Sequence, residues 1–111
     1  MSDTPYKAVE YIIAKAPVFA KAKADRIFLE EFRKSKKALL MKDALSKGIE
    51  AANAQEREAY ADPEYQELLR GLQAAIEAEE TLKWMLEAAR MKTDIWRTEQ
   101  ANIRLEVKAT V

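Results

Sequence analysis

The stretch AYADPEYQELLRGL, residues 59–72, carries the sharpest interruption in a long run of helix-forming residues, Asp62-Pro63. An Asp before a Pro is a helix start. The carboxylate accepts hydrogen bonds from the free N–H groups of the first turn, and Pro63 occupies a position whose missing N–H costs nothing. Glu64 then sits at the positive end of the helix dipole. From Pro63 to about residue 106, Leu68, Leu72, Ala75, Glu79, Leu82, Leu86, Ala89, Thr93, Trp96, Gln100 and Ile103 recur at alternating spacings of three and four, which is one face of an α-helix.

Working back toward the N-terminus, residues 17–60 also read as helix, with a stripe through Ala24, Phe28, Phe32, Ser35, Ala38, Leu45, Ile49, Ala52 and Ala59. Gly48 is its weak point, since Gly inside a helix costs about 1 kcal/mol relative to Ala. Thr4-Pro5 opens a short helix over 5–15, and Pro17 pushes Ala16 out of the α region and ends it. The two long segments are equal, 44 residues each. The expected fold is therefore all-α: a long antiparallel, coiled-coil-like hairpin whose tip is Asp62-Pro63, preceded by a short N-terminal helix.

Composition agrees. Only two Gly and three Pro occur, charged residues make up 34 %, and Ala, Glu, Lys, Leu, Arg and Gln dominate. The turn residues that an all-β chain needs at regular intervals are missing. The N-terminal stretch lacks the apolar core of a signal peptide, and no window is long and apolar enough to span a membrane, so a cytoplasmic location is expected.

A two-helix hairpin buries one narrow seam per helix. Leu69, Ile76, Trp84, Met91 and Ile95 lie off the seam of the last helix, as do Ile27, Leu29, Leu40 and Met41 on the middle one. Each large apolar side chain contributes roughly 1.5–3 kcal/mol when buried. Self-association, with two hairpins forming a helical bundle, covers them; the first five are the candidate oligomer interface.

The chain has no His and no Cys. That removes imidazole bases, thiol nucleophiles, disulfides and the usual zinc sites. Ser35 and Ser46 have no evident activating partner. Glu77, Glu79 and Glu80 cluster, but dimetal carboxylate bundles pair Glu with His, so this group reads as a solvated face. Two Gly, 23 residues apart, form no phosphate-binding loop. No enzyme, metal or cofactor is expected.

Charge is balanced overall, 19 basic against 19 acidic, and uneven along the chain. Residues 1–48 carry 11 basic and 6 acidic groups, 49–82 carry 2 and 9, and 83–111 carry 6 and 4. Folding at 62–63 would set the basic run Arg33, Lys34, Lys36 and Lys37 beside Arg90, Lys92 and Arg97, with aromatic rings interleaved. That half is a candidate nucleic-acid surface, through phosphate neutralisation and stacking. Net charge zero weighs against it. The acidic half reads instead as a protein-docking end.

Residues 59–104 resemble small helical proteins of bacteriophages and prophages. The likeness rests on Ala59, Tyr60, Glu64, Tyr65, Leu68, Leu69, Gly71, Leu72 and Ala75, then Ile95, Trp96, Arg97 and Ala101. It implies a phage or prophage setting, in a host cytoplasm, near recombination or replication functions, and no catalytic residues. The expected role is a non-enzymatic interaction or self-assembling accessory protein. The alternative is an accessory protein that binds nucleic acid.

Overall fold

In the computed structural model, residues 5–110 are described. They form α1 (Pro5–Ser46), α2 (Ala52–Ala61) and α3 (Pro63–Thr110). Among the described residues there is no strand, and only 47–51 and Asp62 lie outside the helices. The all-α expectation holds. Thr4, the expected first cap, lies outside the described residues.

Pro17 does not end a helix. It sits inside α1, which runs 42 residues without a break. Pro removes one hydrogen bond, the one its N–H would give to the Ile13 carbonyl. Ile13 and Pro17 are both exposed, so water can serve the released carbonyl, while the turns on either side keep their own bonds. The separate helix expected over 5–15 is thus the first part of α1.

Gly48, by contrast, is a real stop. Its φ is +95°, a left-handed conformation that glycine adopts without cost. The Gly48 N–H donates to the Leu45 carbonyl at 3.0 Å and the Ile49 N–H donates to the Ala44 carbonyl at 3.1 Å. This pair of bonds is the Schellman arrangement that closes a helix C-terminus. The middle segment expected as 17–60 is therefore divided between α1 and α2.

Asp62 behaves as its sequence demands. Its Oδ1 accepts the Glu64 N–H at 2.8 Å, and its backbone is extended, as a residue before proline prefers. It is a corner between two helices and not the whole tip. The chain reverses across residues 47–62, with α2 inside the reversal.

The described residues divide into two compact units: 21–79, and 5–20 together with 80–110. In the first, α1 runs antiparallel to α3: Lys36 meets Glu64 and Arg26 meets Glu79. A tip at 62–63 would have set Lys36 opposite Ala89. Inserting α2 into the reversal changes the partner of every α1 residue in this unit. The core here is small: Ala44, Ala59, Tyr65 and Leu72 are its buried apolar residues. In the second unit the start of α1 packs on α3 through Ala8 and Ala89. Two methyl groups cannot fill that seam. A groove of about 240 Å³ remains, lined by Lys7, Ala8, Tyr11, Met85, Ala88, Ala89 and Lys92.

Candidate interaction surfaces

Each α3 stripe residue from Leu68 to Thr93 is buried or half-buried, as its spacing requires. The α1 stripe is not. Ala24, Phe28, Phe32, Ser35, Ala38 and Leu45 are all exposed. The inward face of α1 instead carries Ala22, Arg26, Leu29, Arg33, Lys36, Leu40 and Ala44. It is half apolar and half basic, so an apolar count passes over it. The signal that could have found it is a basic residue at seven-residue spacing, Arg26 and Arg33, on a helix whose partner carries Glu79 in its own seam.

Those inward cations meet acids. Arg26 grips Glu79 with two hydrogen bonds, Nε to Oε2 at 2.6 Å and Nη2 to Oε1 at 2.9 Å, and reaches Glu30 at 3.1 Å. A fork-to-fork contact of this kind fixes geometry as well as charge. The bond to Glu79 above all, then Glu30, raises the Arg26 pKa further. Glu79 is buried and thus not part of a solvated acidic face. Lys36 donates to Glu64 at 2.6 Å. Lys37 donates to Glu56 of α2 at 3.1 Å and lies 4.7 Å from the centre of the Tyr60 ring. Hydrogen bonding to Tyr60 and then to Glu56 raises the Lys37 pKa; the Lys37 ammonium is the main cause that lowers Glu56.

Among the other cations expected to hold nucleic acid, three pair with a carboxylate three residues away on their own helix. Lys34 pairs with Glu31 at 3.3 Å, Arg90 with Glu87 at 2.8 Å, and Arg97 lies 3.9 Å from Asp94. Lys92 lines the groove against α1. Arg33 is half-buried on the inward face. Of the run at 33–37, Lys36 and Lys37 face Glu64 and Glu56, so those two charges are engaged within the fold.

Apolar side chains tell the opposite story. Of the candidate interface residues, Leu69 is half-buried inside its own unit, whereas Ile76, Trp84, Met91 and Ile95 are exposed. Trp84 keeps 64 % of its surface and Ile95 58 %. Trp84, Met91, Ile95 and Leu105 follow one another along the side of α3 that points away from α1. In the other unit Phe28 and Phe32 stack on the outside of α1, with ring centres 5.7 Å apart. Both rings lie on the stripe expected to face the partner helix.

Among the described residues no group of His, Cys, Asp and Glu could hold a metal ion, and no helix is long and apolar enough to cross a membrane. No family model, no curated protein and no solved structure matches the chain.

Proposed function

We propose that this chain is a non-enzymatic interaction protein that assembles with other protein, first of all with copies of itself. One observation carries the reading. Among the described residues the buried apolar core consists of Ala8, Ala44, Ala59, Tyr65, Leu72 and Ala89, while nineteen large apolar side chains are exposed. Four of the six core residues are alanines. Scattered surface apolars need no explanation, but rows of them along helix faces mark sites of association. The pairing of nearly every cation at 33–37 with a carboxylate of the same chain supports this reading over nucleic-acid binding. The likeness of residues 59–104 to small phage and prophage proteins supports an accessory role in that setting, in a host cytoplasm. Light scattering of the full chain between roughly 1 µM and 1 mM should give a mass that rises to a dimer or more. A single-chain mass across that whole range would end the proposal.

A further inference from the structure

The inward stripe of α3 does not stop where α1 stops. With Tyr65 at position a of a heptad, Leu72, Glu79, Leu86, Thr93, Gln100 and Val107 are also a, and Leu68, Ala75, Leu82, Ala89, Trp96, Ile103 and Thr110 are d. The first turns of α1 cover this stripe as far as Ala89 and Lys92, through Lys7, Ala8 and Tyr11. Beyond it α3 continues to Thr110. From Asp94 to Thr110 every residue is exposed except Gln100 and Ala101. Trp96, Gln100, Ile103 and Val107 thus prolong a seam whose partner helix, among the described residues, has ended.

The flanking charges say what fits there. Position g carries Lys92, Glu99 and Glu106; position e carries Arg97 and Arg104. Two copies laid antiparallel would set Arg97 against Arg104 and Glu99 against Glu106, like charge on like charge along both edges. Two copies laid parallel and in register set Glu99 of each beside Arg104 of the other, twice by symmetry. The one adverse parallel pair, Lys92 with Arg97, involves a lysine that lines the groove against α1 and an arginine that leans on Asp94. Gln100 at an a position adds a polar layer that is paired only when the register is correct.

We infer that residues 93–110 of two copies associate as a parallel, in-register pair of helices, with Trp96, Gln100, Ile103 and Val107 as facing layers. This rests on the self-association proposed above and deepens it by assigning the surface and the orientation. The free surface is about two and a half heptads long, so the pair is concentration-dependent and not permanent.

The chain has no cysteine, so one introduced thiol reports on one position. In the full chain, Val107→Cys should give a disulfide-linked dimer on mild oxidation, because the two Val107 positions face each other. Leu105→Cys, on the outer side of the same helix, should give little. An antiparallel pair would separate the two Val107 positions by ~16 Å along the axis, too far for a disulfide. Charge reversal is the second arm, read by sedimentation equilibrium. Glu99→Arg should weaken the dimer about tenfold, and Glu99→Arg with Arg104→Glu should restore it. A dimer that forms normally while Val107→Cys stays unlinked and Glu99→Arg has no effect overturns this assignment and leaves self-association standing. A chain that is single at all concentrations overturns both.

Discussion

Replacing Pro17 by Ala asks whether α1 is one helix or two. Inside a helix, Pro is about 3 kcal/mol less favourable than Ala, through the lost hydrogen bond and the clash of its ring with the preceding turn. Pro17 lies twelve residues after Pro5, deep inside the 42-residue α1. The full penalty applies there. Part of it is offset in the unfolded chain, which Pro restricts by about 0.4–1 kcal/mol relative to a freer residue. Pro17→Ala should therefore stabilise the chain by about 2 kcal/mol. For a chain of this length that raises the thermal midpoint by ~8 °C. Pro17 is exposed, so no core contact is lost with it.

Circular dichroism melts of both proteins at one fixed concentration measure the effect, with concentration held because association shifts the midpoint. If the chain turned at Ala16-Pro17, Pro17 would stand in a first turn, where proline is favoured, and Ala would be neutral or harmful. An unchanged or lowered midpoint would therefore refute the uninterrupted helix.

The glycines give a paired test with opposite signs. At Gly48, φ is +95° and an added Cβ would meet no atom within 4 Å, so Gly48→Ala should cost only the backbone term, about 1–2 kcal/mol. Gly71 lies within α3 with equally open space around it, and Gly71→Ala should gain roughly 0.5–1 kcal/mol; urea titration of each measures both. The Lys37–Glu56 pair predicts a pH signature. Glu56 has its folded pKa lowered from 4.5, so its contribution is present above that value and is lost as pH falls through the folded pKa. Lys37 is raised from 10.5, so its contribution is present below that value and disappears as pH rises through the folded pKa. Melts of Glu56→Gln against wild type should converge at acid pH and separate near neutrality; parallel curves would remove the pair from the stability of the fold. Arg26→Met and Glu79→Leu should each destabilise by stranding the other's charge, and the double variant should lose less than the two together in a denaturant cycle. Labelled DNA should show little binding at ~50 mM salt and no steep loss by ~200 mM, as judged by anisotropy; steep loss would restore the basic half as a ligand surface.

How much of this was legible depends on how each element announces itself. The Asp62 cap and the α3 stripe were plain, because one residue pair and one apolar spacing specify them and nothing competes. Pro17 misled because a rule about the residue before a proline is a local preference, and a long helix hydrogen-bonded on both sides of it overrides it. Gly48 was visible as a weakness. What makes it a stop is the left-handed backbone at Gly48, which turns the Ile49 N–H back to donate to the Ala44 carbonyl. The inward face of α1 was missed because Phe28, Phe32 and Leu45 draw a stronger apolar line than Ala22, Leu29 and Leu40, and the stronger line faces out. A separate error, the position of the reversal, reached the site. Folding at Asp62 with no α2 in the reversal paired 33–37 with 90–97, whereas Lys36 and Lys37 meet Glu64 and Glu56.

The misplaced line is itself informative about function. A seam that admits Arg26, Arg33 and Lys36 while Phe28, Phe32, Trp84 and Ile95 stay outside reverses the usual assignment of polar and apolar groups. The inward charges have a physical use: hydrogen-bonded ion pairs fix which residue of α1 meets which residue of α3, a choice that alanine methyls alone would leave loose. They add little net stability, because each charge must be stripped of water before it is paired. Stability must then come from apolar area, and most of that area lies on the outer faces and on α3 beyond Lys92. A helix pair built this way sets its register from within, and if it self-associates as proposed, folding and assembly are expected to depend on the same surfaces.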